Sequence, residues 1–398
     1  MSAVLPAARR ARTTALVLAT AGFAVNFWAW GLLSPLGPVY AELLNLTPTA
    51  VSILVAVPVV VGSLGRIVLG GLTDRHGGRI VFAVASFLGV VPVLFLAFAA
   101  SYPALLAGGF LLGLSGATFA IGVPFVNGWY PPHRRGLALG VFGMGNIGTA
   151  VSGFATPWLA ERFGRSAPFI VVAAALALVG VAFLAVGRDA PGSGGQAGPF
   201  LSRFMAAARL RSTRELSAFY ALTFGGFVAF GVYLPLYLRS GYGLTTADAA
   251  ARTAGFVVLA TLARPVGGWL SDRMGGEGVL SAVLAVVFVC AVVVAFLPPM
   301  PLATVGLLSM AAAFGVGNGA VFEILSRVVP GDQVGSVTGV VGAAGGLGGF
   351  LPPIVMGVIY QVTGSYAIGL MLLAAMTAAA FVYCWFVLRM DAARLAPR

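Results

Sequence analysis

Two arginines lie inside long apolar stretches of this sequence, and their side chains are the ones best suited to do chemistry. Arg66 stands in the run that closes with Gly65–Arg79, and Arg264 stands in a second run at Ala263–Gly276. A guanidinium group presents a planar fork of N–H donors that matches an oxygen-rich anion through two hydrogen bonds. The residue types therefore predict a site for a small anion, unless each arginine pairs with an internal carboxylate.

These two segments are copies of one pattern, offset by 198 residues in a chain of 398. Such an offset indicates that the chain is a duplication with one buried arginine in each half. The matched pairs are Arg66 with Arg264, Gly70 with Gly268, Leu72 with Leu270, Asp74 with Asp272, Arg75 with Arg273, and Gly77–Gly78 with Gly275–Gly276.

The composition requires a membrane to surround the chain. Hydrophobic residues make up 60% of the sequence and charged residues only 9%, against about 25% charged in soluble domains. Several apolar runs exceed about 18–20 residues, the length that spans a bilayer as a helix. The net charge of +12 comes from 23 arginines and no lysine. Because the arginines flank the apolar runs, their placement matters more than their sum, and the charge does not indicate nucleic-acid binding.

The apolar runs predict an all-α membrane protein with twelve transmembrane helices in two pseudo-symmetric groups of six. The first predicted helix begins near residue 14. We expect an N-terminal half at 1–187, a polar cytoplasmic linker at 188–214, and a C-terminal half at 215–398. Two parallel six-helix halves are the architecture of major facilitator transporters, in which substrate binds near the midplane between the halves.

The distribution of arginines predicts the orientation. With the N-terminus inside, 17 arginines face the cytoplasm and four face outside. Arg389, Arg394 and Arg398 are among the cytoplasmic ones. Positive residues concentrate on the cytoplasmic side of membrane proteins. We therefore expect a multi-pass protein of the inner (plasma) membrane with both termini cytoplasmic.

The loop after each buried arginine resembles the loop 2–3 motif of the major facilitator superfamily. Its aspartate follows a helix and can pair with an arginine or with a neighbouring helix N-terminus, while its glycines allow a tight turn. The pattern predicts a conformational latch. Its residues are Asp74, Arg75 and Arg79 in the first copy, and Asp272 and Arg273 in the second, where Glu277 replaces the last arginine.

The fifth and eleventh predicted helices are rich in glycine. Small residues permit close helix packing, and they could also let two helices close over a small cargo and slide. Asn146 is an amide amid these glycines, suited either to packing or to donating a hydrogen bond to a ligand. The candidate gating glycines are Gly143, Gly145, Gly148, Gly345, Gly346 and Gly348.

Together these residues resemble the nitrate/nitrite porter family of the same superfamily. The resemblance rests on the paired arginines, GMGNIG at 143–148, GAAGGLGGF at 342–350 and GNGAVF at 317–322, and it extends over all twelve helices. It implies that Arg66 and Arg264 grip the anion from either side. It further implies that Tyr220 and Asn146 add hydrogen bonds, and that the anion is enclosed by Phe119, Phe224 and Phe322.

Glu323 departs from the family pattern. A neutral polar residue is expected there in nitrate/nitrite exchangers, so the carboxylate leaves proton symport and exchange both open. On the coupling interpretation, Glu323 offsets one arginine in the empty carrier and releases it when protonated. The alternative is that Glu323 pairs with Arg327, four residues further along the same helix.

The sequence thus predicts a secondary transporter of nitrate and/or nitrite working by alternating access, and not an enzyme. A carrier of a short carboxylate is the alternative within transport. A membrane nutrient sensor would need a larger soluble output surface than the linker provides, and a cation or drug exporter would need more intramembrane carboxylates. We expect a monomer with no cofactor, no metal and no nucleic-acid partner, and protons as a further partner in the symport case.

Overall fold

The structure is a computed structural model that describes residues 4–194 and 200–388. This described part is 88% helical and contains no strand. Arg389, Arg394 and Arg398, three of the arginines used to predict orientation, lie outside the described residues. The predicted all-α fold class is confirmed.

The first half contains nine α-helices, several of which are joined by short 3-10 turns. Three apolar stretches are each divided into two helices. The divisions lie at Leu32, at Gly113–Ala117 and at Met144–Asn146. The helices are α1 (Val4–Gly31), α2 (Leu33–Leu43), α3 (Pro48–His76), α4 (Gly78–Ala97), α5 (Tyr102–Leu112), α6 (Phe119–Asn127), α7 (Arg135–Gly143), α8 (Ile147–Phe163) and α9 (Ala167–Ala185).

The second half continues with eight α-helices and a short π-helical turn, Cys384–Leu388. Helix α10 lies within the predicted linker, and α11 begins there as well. The helices are α10 (Phe200–Arg209), α11 (Arg211–Tyr242), α12 (Thr246–Leu262), α13 (Arg264–Met274), α14 (Gly276–Ala295), α15 (Met300–Val328), α16 (Val334–Thr363) and α17 (Ala367–Tyr383).

Within the described residues, twelve helical segments are long and apolar enough to cross a membrane. We number them spans 1 to 12. Span 1 joins α1 and α2, span 4 joins α5 and α6, span 5 joins α7 and α8, and span 8 joins α12 and α13. Each remaining span is one helix, with α10 left over between spans 6 and 7. The twelve predicted helices are thereby confirmed.

Span 1 starts earlier than the sequence predicted. Helix α1 begins at Val4 and not near residue 14, so Arg9, Arg10 and Arg12 are helical. Alanine and arginine are both strong helix formers, and the segment after Pro6 contains no residue that would break a helix. The run of apolar residues predicted the membrane-crossing part of the helix, but it gave no signal for the polar helical turns that precede that part.

The residue contacts divide the chain into two units. Unit 1 comprises Met1–Pro131, Val141–Arg214 and Val329–Ala343, and unit 2 comprises Pro132–Gly140, Glu215–Val328 and Ala344–Arg398. Each unit thus contains one sequence half plus the opening turns of span 5 or span 11. The division predicted at 187/188 and 214/215 stays a prediction.

In unit 1 the start of α16 crosses α3 at backbone distance. A Cβ atom added at Gly70 would overlap the carbonyl oxygen of Gly335, and one added at Gly339 would lie against the carbonyl of Arg66. Helix axes can come this close only where both surfaces lack side chains. Glycine at these positions is therefore a steric requirement of the crossing.

Unit 2 repeats the crossing with α13 and α7. A Cβ atom at Gly268 would overlap the carbonyl oxygen of Gly136, and one at Gly140 would approach the carbonyl of Arg264 to 2.6 Å. Gly70 and Gly268, matched in the duplicated sequence, thus occupy equivalent contacts in the two units.

We expect Gly268→Ala to destabilise the protein, because the obstacle to the new methyl group is backbone and cannot rotate away. Overpacking of this kind costs about 1–3 kcal/mol. The measurement is the midpoint of thermal unfolding of the purified chain in detergent.

Gly255→Ala in the same span is the matched control. A Cβ atom there meets nothing within 4 Å, so alanine should be neutral or stabilise helix α12 slightly. Equal midpoints for the two variants would contradict the close crossing.

Candidate functional site: two buried arginines with aromatic faces

Arg66 lies in the middle of α3 and is only 1% exposed. Its Nη1 donates to the carbonyl oxygen of Gly342 at 2.6 Å, and its Nε donates to the carbonyl of Gly116 at 3.2 Å. Gly116 belongs to the 3-10 turn that divides span 4, where the backbone is free of regular helical bonding. Carbonyl dipoles orient the guanidinium group without neutralising its charge.

Phe119 presents its ring to this guanidinium group. The Arg66 Cζ atom is 5.7 Å from the ring centroid, within the range of a cation–π interaction. The ring of Phe119 is held in turn by Phe142 at 5.6 Å and by Phe23 at 5.4 Å between centroids. Three phenylalanines from three spans therefore form one wall beside Arg66.

Asn146 and its neighbouring glycines occupy the 3-10 turn of span 5 and the start of α8. The Asn146 amide is buried and donates to the carbonyl of Gly143 at 3.0 Å. A Cβ atom at Gly145 would overlap the ring of Phe23, and one at Gly148 would overlap the carbonyl of Ala24. These two glycines therefore allow span 5 to pack closely on α1.

Arg264 opens α13 directly after the break in span 8. Pro265 follows it in the first turn, where its missing N–H has no helical partner to lose. The Arg264 side chain is 2% exposed. Its Cζ atom lies 5.4 Å from the ring centroid of Phe224 and 5.5 Å from that of Phe227.

Tyr220 joins Arg264 to the remaining predicted aromatic residues. Its ring stacks on Phe224 at 4.9 Å and meets Phe322 edge to face at 4.9 Å. A Cβ atom at Gly345 would overlap the Tyr220 ring. Unit 2 thus brings together four of the predicted binding residues.

The other two glycines predicted in span 11 are Gly346 and Gly348. A Cβ atom at Gly348 would lie 2.8 Å from the carbonyl oxygen of Ala221 on α11. Gly346 is buried on the same helix. Gly345 and Gly348 therefore serve close packing of α16 on α11, as Gly145 and Gly148 do for span 5.

Asp74 binds the N-terminus of α16. Its carboxylate accepts from the backbone N–H of Gly335 at 2.8 Å, and from the N–H and hydroxyl of Ser336 at 2.7 and 2.6 Å. The first N–H groups of a helix have no intrahelical partner and carry partial positive charge. The helix N-terminus, one of the two partners that the sequence left open for this aspartate, is bound in unit 1.

Asp272 does the same for the start of α7 in unit 2. Its two carboxylate oxygens accept from the N–H groups of Gly136 and Leu137, both at 2.8 Å. The two loop motifs therefore act at equivalent places, each beside the glycine crossing of its unit.

The predicted latch arginines have separate surroundings. Arg75 and Arg273 are exposed, and Arg273 lies 4.2 Å from the ring centroid of Trp269. Arg79 binds the C-terminal turn of α9 instead. Its Nε donates to the carbonyl of Phe183 at 3.3 Å, and its backbone N–H donates to Asp189 at 2.9 Å.

Glu323 lies on α15, 5% exposed, and forms an ion pair with Arg327 at 3.2 Å. The pairing considered as the alternative to a coupling role is therefore present. Arg327 also forms an ion pair with Glu277, the residue that replaces the last arginine of the second loop motif. Two carboxylates share one guanidinium group.

Several functional neighbours were missed at the sequence level. Phe227 follows Phe224 by three residues, so one helix face carries both, and this spacing could have revealed it. Phe23 and Phe142 give no such signal, because phenylalanine in an apolar run is ordinary. The link between Glu277 and Arg327 spans 50 residues and depends on tertiary packing.

Comparison with known proteins agrees with this architecture. Residues 19–353 match the model of the Major Facilitator Superfamily. Two solved structures share the fold: the human organic anion transporter MFSD10, with a TM-score of 0.76 at 17% identity, and the E. coli fucose:proton symporter FucP, with 0.75 at 17%. Each alignment covers 94% of this chain and 99% of the other.

Closer relatives share far more of the sequence. The probable nitrate/nitrite transporter NarK2 of Mycobacterium tuberculosis is 48% identical over 379 residues, covering 94% of this chain and 96% of the relative. The nitrite extrusion protein of Bacillus subtilis is 39% identical, with 92% of both chains covered. The probable nitrate transporter NarT of Staphylococcus haemolyticus is 34% identical, covering 92% and 94%.

The fold and these relatives define a membrane transporter and not an enzyme. The chain belongs to the nitrate/nitrite porter family of the Major Facilitator Superfamily.

We expect Asp74→Asn to destabilise unit 1, because an amide loses the charge that strengthens three hydrogen bonds to α16. Hydrogen bonds to charged groups contribute about 1.5–3 kcal/mol. The midpoint of thermal unfolding should fall, while Arg75→Gln on the exposed side of the same motif should leave it nearly unchanged. An unshifted midpoint for Asp74→Asn would show that the contact contributes nothing to stability.

Proposed function

We propose that this protein is a secondary transporter that moves nitrate and/or nitrite across the membrane by alternating access. The observation that carries the proposal is the pair of buried guanidinium groups, Arg66 and Arg264, each beside an aromatic wall. The names of the relatives at 34–48% identity point to the same cargo. A buried cation in a membrane-spanning helix is costly and usually serves function.

The proposed cargo fits the donors that these residues offer. Nitrate and nitrite are small, flat oxyanions, and a guanidinium fork can donate two parallel N–H bonds to such an anion. In this proposal Arg66 and Arg264 supply the charge, while Tyr220 and Asn146 add hydrogen bonds.

The aromatic residues exclude water and limit size. Phe119 lies beside Arg66 and Phe224 lies beside Arg264, while Phe322 packs on Tyr220. Apolar rings lower the local dielectric constant, which strengthens the attraction between arginine and anion.

Helix sliding in the transport cycle uses the glycine-rich spans. Gly148 and Gly348 lie against backbone, while Gly145 and Gly345 leave room for the rings of Phe23 and Tyr220. We assign Gly143 and Gly346 to the same surfaces. Asp74 and Asp272, with the neighbouring arginines 75, 79 and 273, form the latch that holds the starts of spans 11 and 5 in one state of the cycle.

We place the protein in the inner (plasma) membrane as a monomer with both termini cytoplasmic. The arginine distribution supports this orientation. The ends of α3 and α13 that carry Asp74 and Asp272 then face the cytoplasm.

Coupling to protons is assigned to Glu323, the buried carboxylate of span 10. A transporter that resets empty must offset its buried arginines, whereas an exchanger always carries an anion. Glu323 therefore favours proton symport, with nitrate/nitrite exchange as the second mode of the same carrier.

Uptake into proteoliposomes tests the proposal. Nitrate, nitrite and formate are offered separately, with and without an acid-outside pH gradient. We expect uptake of nitrate or nitrite well above formate. Preferential uptake of formate would indicate a carboxylate carrier and contradict the proposed cargo.

We expect Arg66→Lys and Arg264→Lys to lower uptake about 10- to 100-fold although charge is kept, because an ammonium group loses the bidentate fork worth about 1.5–3 kcal/mol. The exposed arginines Arg162 and Arg252 supply the matched controls Arg162→Lys and Arg252→Lys. Near-normal uptake by a properly inserted Arg66→Lys or Arg264→Lys variant would remove that arginine from the site.

A further inference from the structure

Two buried carboxylates in unit 2 depend on a single guanidinium group. Arg327 forms ion pairs with Glu277, in the first turn of α14, and with Glu323 on its own helix. The Glu277 and Glu323 side chains are 9% and 7% exposed, whereas Arg327 is 42% exposed. The arginine therefore stands at the surface with the carboxylates behind it. With both carboxylates ionised, the trio carries a charge of about −1 in a buried place.

The surrounding elements bring further charged and polar groups near the two carboxylates. From α13, Asp272 adds a further carboxylate, but it is held by two N–H groups of α7. From the start of α7, Arg135 donates to the carbonyl of Ser326 at 3.3 Å. After α17, the uncharged Cys384 thiol contacts the Glu277 carbonyl at 3.5 Å.

One carboxylate oxygen of this group is buried without a hydrogen-bond donor among the described residues. Oε2 of Glu323 is buried and has no hydrogen-bond partner among the described residues. It lies against Gly276, where an added Cβ atom would overlap it. A buried, ionised oxygen without a donor is expensive. A proton on one of the two carboxylates removes that cost and the repulsion between them.

We propose that Glu277 and Glu323 form a two-carboxylate site that binds one proton, and that this proton is the one coupled to anion transport. The second half of the statement rests on the proposed function, while the proton site itself does not. Arg327 orients both carboxylates and lies on the path by which protons reach them. In this proposal the Glu323–Arg327 ion pair is part of the proton site, so it does not exclude a coupling role for Glu323.

Two helices connect this site to the arginine of unit 2. On α15, Glu323 is adjacent to Phe322, whose ring packs edge to face on Tyr220 beside Arg264. Helix α13, which begins at Arg264, packs on α15 at backbone distance, since a Cβ atom added at Gly319 would overlap the carbonyl oxygen of Arg264. A change of charge at the carboxylates therefore acts on the same two helices that position Arg264.

The proton site is tested by infrared titration of the purified full-length chain between about pH 5 and about pH 9. We expect the wild type to show a protonated carboxyl band that disappears as the pH rises. Glu277→Gln and Glu323→Gln should each lose this band, because one remaining carboxylate is neutralised by Arg327. Glu161→Gln, at an exposed glutamate, should keep it.

Two infrared results overturn the proton site. The first is a wild type without a titrating buried carboxyl band. The second is a band that persists unchanged in Glu277→Gln or in Glu323→Gln. Because the wild-type spectrum is informative alone, the test survives a variant that fails to fold.

The coupling half is tested in proteoliposomes. In both glutamine variants, accumulation driven by an acid-outside gradient should fall to the level seen without a gradient, while nitrate/nitrite exchange at equal pH stays measurable. If Glu277→Gln keeps its full response and Glu323→Gln loses it, Glu323 couples alone and the paired site is overturned. If the wild type carries neither anion but the infrared result holds, the proposed function and its coupling fail, and the proton site is supported.

Discussion

A guanidinium group within a membrane-spanning helix has to be compensated by its immediate surroundings. Arg66 and Arg264 each cost at least about 2.5–3.5 kcal/mol on insertion scales. Arg66 donates hydrogen bonds to carbonyl oxygens, and both arginines lie against aromatic rings. These partners orient the charge but leave it positive, which is the condition that an anion carrier requires. The break in span 4 supplies a carbonyl oxygen to Arg66, and the break in span 8 directly precedes Arg264.

The glycine crossings and the loop aspartates together determine how α3 packs on α16 and how α13 packs on α7. Helices that touch through backbone leave no side chains to fix their register. Asp74 and Asp272 supply that register by binding the first N–H groups of α16 and α7. Such bonds are strong because the acceptor is charged, yet they are confined to one helix end and can be released as a unit. This combination suits an element that must hold firmly in one state and let go in another.

Much of this arrangement could be predicted from sequence because it is periodic or repeated. The twelve spans follow from apolar runs, and the 198-residue offset between Arg66 and Arg264 identified the equivalent positions of both units. The family prediction is confirmed as well. Contacts between distant segments could not be predicted, such as Asp74 on α16 or Glu277 on Arg327, because pairing of charges depends on packing. The roles of the predicted binding, gating and coupling residues stay predictions.

The central proposal is that the buried arginines Arg66 and Arg264 bind the transported anion, and calorimetric titration of nitrate into the purified protein tests it most directly. The account predicts saturable binding of one nitrate per chain, lost when either Arg66 or Arg264 is replaced by glutamine. Unchanged nitrate binding after the substitution of Arg66 or of Arg264 would remove that arginine from the binding site. That result would contradict the account.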